Sequence, residues 1–286
     1  MRAPDGYELG APFAKDKTGI LYRAVQLKLD RAVTIKALKP KLKVHPRARQ
    51  IFLAERALMA RLDHPHLLGT LDTGEVDGLP YVVTESLDET TLEAALRGDE
   101  PVEELLAVRI ALGIAEALAY LEKRKLIYKN LKPSQILTPR PHMPKLVTFR
   151  QVRKLDEAPS FFGANVQSGA YCAPELTRPG LGPISAKSNV YALGCLLYEM
   201  LAGAKPVAGN SAECRAAHAK GEVTPLKEAR PFLRDRAGAT VDKLMRLLPA
   251  DRASAFDAVT LLQEYLNDPL VSRPLVARKK RRRRRR

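Results

Sequence analysis

The sequence predicts an α+β protein of two lobes: a small β-rich lobe with one main helix, then a larger, mostly helical lobe. Three observations carry that prediction. Residues 7–40 alternate like two or three strands, an amphipathic helix follows, and helical periodicity dominates from about residue 90. A chain of 286 residues with 45% hydrophobic content can bury a sizeable core, which excludes wholesale disorder.

The elements follow in order. Leu21–Val25 and Ala32–Ile35 are the clearest strand segments. Residues 47–62 are predicted helical, because Ile51, Glu55, Leu58 and Leu62 share a face at spacings of 4, 3 and 4. Strand-like segments return at Leu67–Leu71 and Tyr81–Thr84. The longest helix is expected near 102–122, burying Leu105, Val108, Ile114, Leu118 and Leu121, with further helices near 187–202 and 253–267. No internal repeat is present. The expected organisation is a first lobe over 1–84, a hinge and second lobe over 85–268, and a tail over 269–286 that cannot bury apolar area and should be disordered.

Charge is concentrated at the end of the chain. The net charge is +16, and Arg278 to Arg286 supply nine of those charges, leaving +7 for the rest. That remainder needs no nucleic-acid partner to explain it. No apolar run approaches 18 residues, and Met1-Arg2-Ala3-Pro4-Asp5 does not resemble a signal peptide. The three cysteines, Cys172, Cys195 and Cys214, lack metal-ligand spacing and read as reduced thiols of a cytosolic protein.

One pair of charges bears on the first lobe directly. Lys36 interrupts an apolar strand, and Glu55 lies on the apolar face of the helix that follows. Neither residue type is normally buried unless paired, so pairing with each other is the simplest account. The alternative is that one of them snorkels to solvent.

Taken in order, the motifs resemble a eukaryotic-type serine/threonine protein kinase domain of the bacterial style, over roughly residues 7–267. Val33-Thr34-Ile35-Lys36 resembles the strand carrying the phosphate-contacting lysine, and Glu55 falls where the family's helix glutamate pairs with it. His64-Pro65-His66-Leu67 resembles the link out of that helix. Thr84 falls at the gatekeeper position and Glu85-Ser86-Leu87 at the hinge. Leu131-Lys132-Pro133 matches the catalytic loop, and Ala173-Pro174-Glu175 the close of the activation segment. Asn189 to Gly194 resembles the start of the central helix of the large lobe, and Arg252 falls where the family's arginine pairs with Glu175. The resemblance implies a bilobal kinase-like fold and a nucleotide pocket at Gly19, Leu21, Thr34, Lys36, Glu55, Thr84, Lys132 and Leu137.

The departures from the family fall on its chemistry. Asn130 replaces the catalytic aspartate and cannot take the substrate hydroxyl's proton, a loss that typically costs about 10²–10⁴-fold. Gln135 and Thr148 replace the two metal ligands, and magnesium prefers carboxylate oxygens in near-octahedral geometry. The glycine-rich loop reads Ala14-Lys15-Asp16-Lys17-Thr18-Gly19, so only Gly19 survives and Asp16 puts negative charge near the phosphate position. Arg150 replaces a hinge glycine of the activation segment. Thr34 should shrink or polarise the adenine pocket, and Asn189 replaces the aspartate that orients the catalytic-loop backbone. Asp156 and Glu157 lie several residues downstream of Thr148 and offer no clear replacement acid.

The expectation is therefore a pseudokinase: not an enzyme, but a signalling or scaffolding module that binds a protein partner. The alternative is an atypical kinase or nucleotide-binding transferase with weak, metal-poor activity. No metal or cofactor is expected, with ATP binding weak or absent and magnesium-independent if present. Lys36, Glu55 and Lys132 either brace the fold or hold a nucleotide without metal. For Arg278–Arg286 the readings are the cytoplasmic flank of a following membrane helix, an anchor to an anionic membrane surface, or a merely solvated end. Nucleic acid is an unlikely partner because no aromatic residues interleave the basic run.

Overall fold

A computed structural model describes residues 1–87, 90–98, 100–129, 131–138, 142–147, 149, 152–157 and 169–270. The first lobe is a five-stranded antiparallel sheet of β1 (Tyr7–Lys15), β2 (Gly19–Gln26), β3 (Arg31–Leu38), β4 (Thr70–Val76) and β5 (Leu79–Glu85), ordered β1-β2-β3-β5-β4. Helix α1 (Pro46–Met59) is inserted between β3 and β4. It starts where its sequence dictates: His45 Nδ1 accepts the Ala48 amide at 3.3 Å, and Pro46 follows at a position with no helical donor to lose. Asp77 and Gly78, both at positive φ, close the two-residue turn between β4 and β5, as an Asp-Gly hairpin requires.

The second lobe contains α2 (Leu92–Ala95), α3 (Glu104–Lys123), β6 (Leu126–Tyr128), β7 (Ile136–Leu137), β8 (Lys145–Leu146), β9 (Val152–Lys154) and α4 (Ala186–Ala202). Helices α5 (Ser211–Lys220), α6 (Leu226–Ala229), α7 (Asp235–Leu244) and α8 (Ala255–Asn267) complete it. Helix α3 lies against α4 and α8 and forms the centre of the core with Ile114, Leu118 and Leu121, opposite Leu193 and Leu197 of α4 and Leu262 of α8. Each such buried aliphatic side chain contributes about 1.5–3 kcal/mol of transfer free energy. The architecture is the expected α+β one: a sheet-based small lobe and a helical large lobe.

Three details differ from the periodicity. Leu105 is only partly buried, because the first turn of α3 turns its inner face through Glu104 instead. Glu104 is buried, and its Oε1 accepts from Arg234 Nη1 at 2.7 Å and from the Tyr265 hydroxyl at 2.5 Å. The buried face of α1 is Phe52, Glu55 and Met59, while Ile51 and Leu58 are half-buried along a cavity of about 1180 Å³ that also touches Leu126, Val152 and Leu155. Leu67 and Leu68 do not join the sheet. The Leu68 amide donates to the Leu146 carbonyl at 3.0 Å, so this segment ties the lobes together before β4 begins. The polybasic end lies outside the described residues. Among those described, no helix is long and apolar enough to cross a membrane.

Candidate active site

The sheet and α1 bring the two anomalous charges together. Lys36 Nζ lies 2.9 Å from both carboxylate oxygens of Glu55, whose side chain is almost fully buried. Lys36 also reaches a second acid. Asp16, in the turn joining β1 to β2, places Oδ2 at 2.9 Å from the same ammonium. Burial works to raise the Asp16 pKa, but the Lys36 charge and the amides of Gly19 and Thr18 outweigh it and hold the carboxyl below the usual range. Gly19 opens β2 directly over the lysine stem: a Cβ there would meet Lys36 Cε and Cγ at 2.9 Å, closer than real Cβ contacts come. Arg150, the expected competitor for Glu55, lies outside the described residues.

The wall of the cleft is set by strand register. Thr34 stands opposite Thr84, and Leu21 opposite Lys36. Both threonines are buried. The Thr34 hydroxyl accepts the backbone N–H of Leu87 at 3.0 Å, so the side chain polarises the hinge, and an internal contact occupies a hinge donor. The Thr84 hydroxyl donates to the Glu85 carbonyl at 3.0 Å. Glu85 also pairs with Lys145 of β8 at 2.7 Å, a contact across the lobes without a signal in sequence. Leu137 of β7 is buried, and Lys132 is half-buried ahead of the short turn over Pro133–Gln135.

Around the catalytic loop, Asn189 keeps the orienting role in amide form. Its Oδ1 accepts the Tyr128 amide at 3.0 Å while its Nδ2 donates to the Tyr128 carbonyl. The substitution alters this support without removing it: an amide offers one acceptor and one donor, which match a backbone N–H and C=O. Lys129 is buried beside Tyr128, and burial, reinforced by the nearby Arg153 charge, pulls its pKa down. The β7–β8 hairpin sets the Gln135 carbonyl against the Val147 amide at 3.2 Å. Asn130 and Thr148 lie outside the described residues, while Phe149 between Thr148 and Arg150 is packed in the core.

The donor set bears on metal binding. Gln135 Oε1 is a buried hard oxygen with no hydrogen-bond partner among the described residues, so it can serve one cation ligand bond. No group of three His, Cys, Asp or Glu side chains among the described residues could complete a metal site. The described residues by themselves do not supply a two-metal carboxylate arrangement.

Below the cleft, the Arg252 guanidinium forks onto Glu175 at 2.8 and 2.9 Å with both side chains fully buried. Ser188 donates to the same carboxylate at 2.7 Å, and Arg252 also donates to the carbonyls of Lys187, Arg246 and Leu247. This network joins the segment after the activation region to α4 and to the loop before α8.

Comparison with known proteins yields a match to the protein kinase domain over residues 13–266. A probable serine/threonine-protein kinase of Corynebacterium efficiens is 31% identical over 281 residues, covering 94% of this chain and 42% of that protein. The serine/threonine-protein kinase PknB of Mycolicibacterium smegmatis is 29% identical over 87% of the chain and 41% of its own length. A probable serine/threonine-protein kinase PknB of Corynebacterium glutamicum is 28% identical, with 87% and 40% covered. The chain thus spans about two-fifths of the length of these relatives. The expectation of a non-enzyme is corrected by this finding: proteins named as kinases align over most of the chain, which points to an enzyme. The substituted carboxylates are not the whole of the chemistry, because phosphoryl transfer rests largely on positioning and charge.

Proposed function

The chain belongs to the protein kinase family, and from that premise we propose that it is an atypical serine/threonine-type phosphotransferase, slow and sparing in its use of metal. The observation that carries this reading is the Lys36–Glu55 contact at 2.9 Å, with both side chains largely withdrawn from solvent. A buried charge pair is costly to keep unless its geometry is used. Glu55 holds the Lys36 ammonium in place, and Lys36 orients a phosphate. Lys132 adds positive charge on the other side of the cleft. Asn130, by its place in the catalytic-loop motif, can hold a substrate hydroxyl by hydrogen bonding without taking its proton. The absence of a base there accounts for about 10²–10⁴-fold of lost rate. Nucleotide affinity is weak and insensitive to magnesium.

In the cell, the same fold serves signalling through contacts with a protein partner, and Arg278–Arg286 hold the domain at an anionic membrane surface. Each basic residue near such a surface contributes about 1 kcal/mol, and the attraction weakens with salt. The activity is tested by incubating purified protein with labelled ATP. Slow incorporation abolished by Lys36→Ala is expected, and none above the Lys36→Ala background refutes the transferase reading. Co-sedimentation with anionic vesicles, with and without residues 278–286, tests the tail. Preference for nucleic acid at physiological salt overturns the membrane reading.

A further inference from the structure

The turn between β1 and β2 carries an anion site that the chain fills for itself. Asp16 Oδ1 accepts the backbone N–H groups of Gly19 at 2.6 Å and Thr18 at 2.9 Å, and the Thr18 hydroxyl at 3.3 Å. Its other oxygen, Oδ2, takes Lys36 Nζ at 2.9 Å. Lys39 Nζ donates to the carbonyls of Asp16 and Lys17, which closes the turn over the strand behind it. Convergent backbone amides plus a lysine ammonium are the donors that a phosphate group would receive in such a turn.

The charge count sharpens the point. Lys36 contacts two carboxylates, Asp16 and Glu55, so the three groups together carry a net charge of −1. An incoming polyphosphate meets a satisfied lysine and a like charge in the same place. Removing Asp16 alone leaves a neutral Lys36–Glu55 pair and frees the amides of Thr18 and Gly19. The sugar and base of a nucleoside make no demand on those donors, so this obstacle acts only on the phosphates.

From this geometry we infer that Asp16 is an internal phosphate surrogate that sets the ligand preference of the cleft, weakening its hold on the phosphates of a nucleoside polyphosphate while leaving its affinity for the uncharged nucleoside as it is. The inference rests on the reading of the cleft as a nucleotide site. It locates that site's weak affinity in one side chain of the turn rather than in the missing metal ligands.

Calorimetric titration of adenosine and of ATP, without metal, into the wild-type protein, Asp16→Gly and Asp16→Asn tests it. Asp16→Asn keeps the shape and an acceptor for the Thr18 and Gly19 amides, so it separates charge from folding, which circular dichroism checks for both variants. In the wild type, ATP is expected to bind no more tightly than adenosine. In both variants ATP affinity is expected to rise by about 10–100-fold, the worth of one charge-assisted contact, with adenosine unchanged. An unchanged ratio of ATP to adenosine affinity, with adenosine bound throughout, overturns the role of Asp16 and leaves the nucleotide site standing. Binding of neither ligand by any of the three proteins overturns both.

Discussion

Asn189 holds Tyr128 by both of its backbone polar groups, accepting the amide N–H at 3.0 Å and donating to the carbonyl. Tyr128 opens the catalytic-loop segment, and Asn189 is buried. Asn189→Asp would set a carboxylate against a carbonyl and replace a hydrogen bond with repulsion. We expect a loss of about 1–3 kcal/mol in urea unfolding. Wild-type stability in that variant would show that the amide donor is dispensable.

Thr34→Val keeps the shape of the side chain and removes the acceptor for the Leu87 amide. The amide is partly exposed, so water can take the vacated place and the stability cost should stay near 0.5–1.5 kcal/mol. If the cleft is a nucleotide site, the freed hinge donor becomes available to a base. Adenosine affinity should rise by about 3–10-fold by calorimetry, and an unchanged or weakened affinity would contradict the assignment.

Glu175→Ala strands Arg252, which is fully buried and keeps backbone carbonyls and the Tyr191 ring, 4.9 Å from the guanidinium, as partners. Breaking one side of a buried pair costs about 3–5 kcal/mol, so a large shift in the urea midpoint is expected. A loss below about 1 kcal/mol would mean that the carbonyls and the Tyr191 ring suffice for the guanidinium.

His64 links stability to pH. Burial first, then the neighbouring His66 and Arg124 charges, pulls its pKa down from 6.5 to about 4. Its Nδ1 accepts the His66 amide at 3.2 Å, a bond that a proton there would break. Above pH 6.5 both folded and unfolded forms are neutral and the residue contributes no pH dependence. As pH falls from 6.5 toward 4 the unfolded chain binds the proton first, so stability decreases across that window. His64→Asn keeps an acceptor without titrating there. Its urea midpoint should fall less steeply between pH 6.5 and 4, and an identical slope would remove His64 from the account.

Local patterns determined much of this protein. Strand alternation, the spacing of Val108, Ile114, Leu118 and Leu121, and the caps that start the helices depend on residues a few positions apart, and they place β1–β3, α1, α3, α4 and α8 to within a few residues. The charge anomaly at Lys36 and Glu55 was legible for the same reason, because each breaks an apolar pattern that is itself local. Tertiary structure decided what each polar group meets. Nothing within reach of sequence periodicity couples Glu104 to Arg234 and Tyr265, Glu85 to Lys145, or the Thr34 hydroxyl to the Leu87 amide, since these partners lie 53 to 161 positions apart or belong to opposite lobes. It also decided that Asp16 folds back onto Lys36 and that Asn189 matches a backbone donor and acceptor at once. Hydrogen bonds and ion pairs act over about 3 Å with strict geometry, so only the folded backbone selects among the many partners a polar side chain could take.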